Sequence, residues 1–197
     1  MTKKLFFIAL LLCTAGALKA QKYTGITYSI GFPSGDLTDF IDKTSFRGIN
    51  IDYKNLIQPN IGIGFSVGWN VFYTDMDEAT YTVDNISIWG KQYRYANYIP
   101  LFINANYYLK PDESLNPFVG LGIGTMYSLR NTDMNLYTYK RDAWNFALQP
   151  EVGLLFDTEN GMALNVSARY TYGFQAGSEL TEAQSYFSIN LGFVFMK

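Results

Sequence analysis

From residue 22 onward, large apolar residues alternate with small or polar ones in a period of two, the spacing of a strand with two unlike faces. Residues 60–73, NIGIGFSVGWNVFY, place Ile61, Ile63, Phe65, Val67, Trp69, Val71 and Tyr73 on one face, and Asn60, Gly62, Gly64, Ser66, Gly68 and Asn70 on the other. Residues 118–129, 143–156, 162–174 and 185–196 repeat the pattern, and three less regular segments, 23–32, 48–56 and about 95–109, complete a set of eight. Each expected strand is roughly 9–12 residues long, which suits a tilted bilayer crossing. Asp52, Lys54, Glu151 and Arg169 all fall on polar faces, and no charge falls on an apolar one.

The connections alternate in length. Long ones are expected at about 33–47, 74–93 and 130–142, with a moderate one at about 175–184. Short ones are expected at 58–60, 110–116 and 159–161, the last carrying the Asn160-Gly161 hairpin signal. Long loops at one end and tight turns at the other describe an all-β, antiparallel, up-and-down eight-stranded barrel with both termini at the short-turn end. A soluble barrel turns its large apolar residues inward, whereas a membrane barrel reverses them. Seven consecutive large apolar residues at 61–73 would overfill a narrow lumen, and Gly, Ser and Asn suit it, so the apolar face is assigned to lipid. Closing the sheet pairs every backbone group, as hydrocarbon requires. Apolar-face aromatics form two expected girdles: Tyr53, Tyr107, Phe156 and Phe195 near the short turns, and Phe32, Tyr73, Trp144 and Tyr172 near the long loops. Pro100 and Pro150 fall inside expected strands, so each is expected to mark a bulge or a strand end.

Composition narrows the class further. Charged residues are 16% and aromatic residues 17% of the 197-residue chain, and mean hydropathy is −0.03 because two opposed faces cancel. Residues 1–20 carry Lys3 and Lys4, an apolar run from Leu5 to Leu12, and small residues up to Ala20, the organisation of a cleaved secretory signal peptide. Residues 21–197 then form one barrel domain. Cleavage removes Lys3, Lys4 and Lys19, which takes Lys+Arg from 15 to 12 against 17 Asp+Glu and leaves a mature charge of −5. It also removes the only cysteine, Cys13, which Leu11 and Leu12 precede where a lipoprotein signal carries small residues. There is no histidine, which excludes Ser-His-Asp and Cys-His catalysis and His-ligated metals. No basic footprint for nucleic acid is present, and no cofactor is implied.

The signal peptide, the eight alternating segments and the closing stretch NLGFVF resemble the small outer-membrane β-barrel proteins of Gram-negative bacteria. These are the OmpX-like proteins and the OmpA membrane domain, including the outer membrane protein β-barrel domain family common in Bacteroidetes. The resemblance spans nearly all of residues 22–197. It implies an integral outer-membrane location with periplasmic termini and extracellular long loops, in contact with outer-membrane lipid and lipopolysaccharide. It also implies that barrel-insertion machinery reads the last strand, where Asn190, Gly192 and Phe195 match the family pattern although Lys197 replaces the usual apolar last residue.

Candidate chemistry is confined to a few places. A hairpin centred on Asn160 pairs residues whose numbers sum to 320, which sets Glu151 opposite Arg169. With Asp52 and Lys54 they form an expected interior polar network, which plugs the lumen or lines a charged constriction. The Gly120–Gly124 run lacks the strand–turn–helix context of a phosphate loop. The acidic clusters Asp75–Glu78 and Asp112-Glu113 lack calcium-loop spacing. Tyr81, Trp89 and Tyr93 form either a loop contact patch for a partner or strand continuations above the membrane. The leading expectation is a non-enzymatic barrel acting in envelope structure or through surface-loop or lateral contacts, with an envelope protein as a candidate partner. A narrow porin-like passage is the alternative. A lipid-modifying enzyme stands third, because barrel enzymes that resemble this architecture rely on histidine.

Overall fold

A computed structural model describes residues 21–83, 86–111, 113–158 and 160–197. The expected signal peptide, residues 1–20, lies outside them, as does Asp112 of the second acidic cluster. Eight antiparallel strands form a closed barrel in chain order. They are β1 (Lys22–Ser34), β2 (Ser45–Gln58), β3 (Ile61–Val83), β4 (Ile86–Tyr108), β5 (Leu115–Met134), β6 (Tyr137–Asp157), β7 (Met162–Gly173) and β8 (Gln184–Met196), with one short helix, α1 (Asp36–Phe40), between β1 and β2. The seam between first and last strands runs from Tyr23 opposite Met196 to Ser34 opposite Ser185.

The alternation places its apolar face outward on all eight strands. Phe65 and Trp69 are each 55% exposed, while Ser66 and Asn70 between and beside them are buried inside. Exposed apolar side chains on every strand form a continuous belt, far larger than the scattered patches that water-soluble monomers carry. Girdle residues face out and touch across strands: Tyr53 and Phe65 ring centroids are 5.3 Å apart, and Tyr127 and Trp144 are 5.2 Å apart.

Two long loops expected from the sequence are strands instead. β3 and β4 each run 23 residues and remain paired from Ile61–Tyr107 to Val83–Ile86. β5 and β6 run 20 and 21 residues and turn at Asn135-Leu136, where Asn135 takes a positive φ of 49°. The barrel wall is therefore tall on its β3–β6 side. From Tyr95 to Ile86, β4 continues for roughly 30 Å beyond the upper girdle at about 3.3 Å per residue. A bulge at Met76–Ala79 shifts β3 by one residue against β4, which reverses which of its side chains face inward beyond that point.

The prolines correct a second expectation. Neither Pro100 nor Pro150 shifts register or ends a strand. Pro100 stays opposite Met126 and Pro150 opposite Leu121. Each lacks an N–H toward one neighbour only, and the ladder is interrupted on that side, β3 for Pro100 and β7 for Pro150, with the same register on either side of the gap. Beside Pro150, the Gln149 side chain donates to Thr171 Oγ1 at 2.8 Å and ties the two strands where the ladder is thin.

The lumen is solid, and not only with small residues. Near the short turns, Tyr23, Leu56, Tyr108, Phe118 and Leu155 form one apolar layer. Toward the other end, Phe72, Tyr98, Phe102, Met126 and Tyr186 form another, capped by Leu37 and Ile41 from α1 and its C-terminal boundary. Glycine makes room for these rings. A Cβ on Gly31 would sit 2.7 Å from the Phe72 ring, and one on Gly153 would sit 2.6 Å from Phe118.

Candidate functional site: the packed lumen and its open mouth

Between the two apolar layers lies a four-residue ionic network. Register sets Glu151 on β6 directly opposite Arg169 on β7. Arg169 Nε donates to Glu151 Oε1 at 2.9 Å, and Nη2 reaches Asp52 Oδ1 and Oδ2 at 3.0 Å each. Asp52 belongs to β2, which adjoins neither β6 nor β7, so the guanidinium spans the lumen. Lys54 Nζ lies 3.8 Å from Glu151 Oε2 and 5.5 Å from the Phe118 ring centroid. Asn106 Nδ2 donates to Glu151 Oε2 at 3.4 Å. Arg169 is 2% exposed, and its three partners are buried as well. Two positive and two negative charges balance, which is what a buried charged cluster requires. The cavity beside Asp52 and Lys54 measures only about 10 Å³, the space of a single water.

Above the network, side chains bridge the lumen. Asn50 Nδ2 donates to Asn190 Oδ1 at 3.1 Å, Asn70 Nδ2 to the Tyr186 hydroxyl at 3.2 Å, and the Tyr98 hydroxyl to Gln184 Oε1 at 2.9 Å. Phe72, Tyr98 and Tyr186 form a triangle of rings with centroids 5.5–5.9 Å apart.

The three last-strand residues lie at the closing seam. Asn190 is fully buried and bonded, while Phe195 faces outward. Gly192 is opposite Thr27, and a Cβ there would stand 2.0 Å from the Ile26 carbonyl oxygen, so the backbones of β8 and β1 meet only because this residue has no side chain.

Tyr81, Trp89 and Tyr93 are strand residues, and the structure does not gather them. The β3 bulge turns Tyr81 into the barrel mouth, where its hydroxyl donates to the Asp77 carbonyl. Trp89 is 65% exposed on the outside, and Tyr93 stacks on Tyr73 at 6.5 Å.

The mouth itself is a cavity of about 550 Å³ over α1, and sequence reasoning missed it. Its wall carries Arg94, Arg130 and Arg141. Arg94 lies opposite Thr132, which lies opposite Tyr139. One rung deeper, Arg130 is directly opposite Arg141. Phe40 is sandwiched, with the Arg94 guanidinium 5.3 Å and the Arg130 guanidinium 5.0 Å from its centroid. Arg130 and Arg141 lie in a stretch that reads as a loop in the sequence and Arg94 at the edge of another, so the inward period carrying them gave no signal.

Comparison with known proteins agrees with this architecture. The sequence profile of the outer membrane protein beta-barrel domain family matches residues 5–195. Outer membrane protein AlkL of Ectopseudomonas oleovorans is 29% identical over 139 residues, 70% of this chain and 55% of that protein, so the match spans about half the length of that relative. Among solved structures, Ail of Yersinia pestis, in complex with the heparin analogue sucrose octasulfate, superposes with a TM-score of 0.51 at 14% identity, covering 90% of this chain and all of that one. The N-terminal β-barrel domain of Pseudomonas aeruginosa OprF gives 0.51 at 14% identity over 91% of this chain and all of that one. These structural likenesses concern the fold. A transmembrane wall of eight strands with an apolar exterior, a closed seam and a profile match over almost the whole length place the chain in the outer membrane, as a member of the outer membrane protein beta-barrel domain family.

Proposed function

We propose that this protein is a sealed, non-enzymatic barrel that works at its mouth. Residues 1–20 act as a removable export signal. The termini lie in the periplasm, and the tall β3–β6 wall stands on the extracellular side. Asn190, Gly192 and Phe195 mark β8 for the barrel-insertion machinery, and lipopolysaccharide surrounds the outer half of the wall. The observation that carries the seal is the Asp52–Arg169–Glu151–Lys54 network, packed between two aromatic layers with room for about one water beside it. An eight-stranded barrel has an interior just wide enough to fill with side chains, and here it is filled. A solute crossing the lumen would have to break a balanced buried ion network, which is costly in a low-dielectric interior. Without a histidine, the chain also lacks the commonest general base. Contact with a solute or an envelope partner therefore falls to the rim and the mouth. Single-channel recording in planar bilayers tests the seal. The wild-type protein is expected to give no steady openings. Stable, ion-selective openings that change on Arg169→Ala would establish a narrow porin-like passage instead.

A further inference from the structure

We infer that the mouth cavity is a binding site for a small solute carrying an oxyanion — a phosphate, sulfate or carboxylate — beside a hydroxyl. This rests on the sealed lumen, which makes the cavity a cup with a floor rather than the vestibule of a pore. Two of the three arginines that line the cavity have no carboxylate partner among the described residues. Arg130 is 3% exposed, and its Nε and Nη2 are buried without a hydrogen-bond partner. It faces Arg141 directly across the β5–β6 ladder, an arrangement of like charges that opposes pairing unless something lies between them. Arg94, on the neighbouring strand, is bonded among the described residues to uncharged oxygens, the Phe40 carbonyl at 3.1 Å and Gln92 Oε1 at 2.7 Å. Among the described residues neither Arg94 nor Arg130 makes an ion pair.

The carboxylates nearby do not supply the missing charge. Glu182 is committed to Arg141 at 3.4 Å through Oε1, and Asp36 and Asp39, which also line the cavity from α1, are solvent-exposed and make no ion pair with either arginine among the described residues. Buried cations are normally paired, so Arg130, buried with two unpartnered nitrogens, and the half-buried Arg94 beside it on one cavity wall call for an anion from outside. Guanidinium N–H groups match the oxygens of phosphate, sulfate and carboxylate geometrically. Glu182 Oε2 is also buried without a partner, so the same wall offers an acceptor for a ligand hydroxyl. The cavity volume of about 550 Å³ admits a sugar-sized molecule. The arginines sit on inward-facing rungs, so the cup opens along the barrel axis and away from the lipid-facing wall. That favours a solute from the medium over a headgroup of the surrounding leaflet.

The full-length mature protein in phospholipid nanodiscs, titrated with glucose 1-phosphate and separately with glucose by calorimetry, tests the site. Saturable binding of the phosphate ester is expected, weakened at least tenfold by Arg130→Gln and by Arg94→Gln, with no binding of glucose over the same range. Gel mobility without heating verifies that each variant is a folded barrel, and having two variants guards against one that fails to fold. No saturable binding, or equal binding by wild type and both variants, overturns the site. Loss of glucose 1-phosphate binding when lipopolysaccharide is added to the nanodiscs assigns the cavity to a lipid headgroup and overturns the free-solute reading. Conductance of the same preparation separates the two levels: a silent barrel that binds nothing removes the site alone, whereas an open channel removes the seal.

Discussion

Removing the Arg169 side chain while keeping its bulk, as in Arg169→Met, tests the ionic network most directly. Arg169 supplies two bonds to Asp52, at 3.0 Å each, and the shortest bond to Glu151, at 2.9 Å. Without it, Glu151 keeps Lys54 at 3.8 Å and Asn106 at 3.4 Å, but Asp52 keeps no ion-pair partner among the described residues. Breaking a buried pair by removing one partner costs about 3–5 kcal/mol, because the remaining charge stays buried and uncompensated. Most of that cost belongs to Asp52, so neutralising it should recover much of the loss. The double variant Asp52→Asn/Arg169→Met leaves Lys54 with Glu151, and its residual cost is that of lost hydrogen bonds, about 1–2 kcal/mol. The cycle should therefore show a coupling of at least about 1 kcal/mol. Urea unfolding from lipid vesicles, followed by tryptophan fluorescence, measures all four corners. A single-variant cost below about 1 kcal/mol, or strictly additive single costs, would refute the reasoning.

Three other outcomes are expected. Gly192→Ala should lower the folded fraction in refolding assays, because its Cβ would sit 2.0 Å from the Ile26 carbonyl oxygen, whereas Gly25→Ala on the facing strand should refold nearly as wild type, its nearest contact being a Val194 methyl at 3.3 Å. Phe72→Ala should destabilise by about 3–5 kcal/mol in the same urea assay, since it removes one of the three rings of the Phe72–Tyr98–Tyr186 cluster and leaves a cavity. On the tall wall, hydrogen bonds from Lys43 and then Lys91 pull the Asp75 carboxyl down to about 2. A folded-state value below the ordinary one means that this tie is complete at neutral pH and lost as pH falls from about 4 through about 2. Carboxyl NMR should give that low midpoint and a higher one in Lys43→Met, and an ordinary midpoint in the wild type would contradict the geometry.

How much of this was legible in the sequence follows from what each face touches. Where one face meets hydrocarbon and the other a polar lumen, the contrast is maximal, and Ile61 to Tyr73 announce their period without ambiguity. Higher on the wall both faces meet water, so Tyr137 to Asp142 lose the contrast and read as loop although they are paired strand. The bulge at Met76–Ala79 adds a change of phase that a fixed period cannot follow. Inside the lumen, Phe72 and Tyr98 stood at polar-face positions. Their fit depends on glycines of other strands, such as Gly31 against Phe72, which only the register brings together. Glu151 and Arg169 were readable as a pair because a tight hairpin fixes their sum. Asp52 lies 117 residues from Arg169 and meets it across the lumen, where no local rule applies.

The two polar clusters of the lumen answer opposite tests. Arg169 is balanced by carboxylates within 3.0 Å, and its loss exposes a charge that nothing else meets. Arg130 is buried but unbalanced, with a Tyr98 hydroxyl and the Phe40 face as its neighbours and Arg141 opposite. Replacing Arg130 with Gln gives up a cation–π contact worth about 0.5–2 kcal/mol, but removes a buried unpaired cation whose burial costs several kcal/mol. The empty protein should therefore hold or gain stability with Arg130→Gln, in contrast to the loss with Arg169→Met, and glucose 1-phosphate should stabilise the wild type but not this variant. A residue kept only for the fold would behave as Arg169 does. Stability retained together with ligand stabilisation lost is the signature of a charge kept for something that binds, and a large loss of stability in Arg130→Gln would place it instead among the structural ties of the wall.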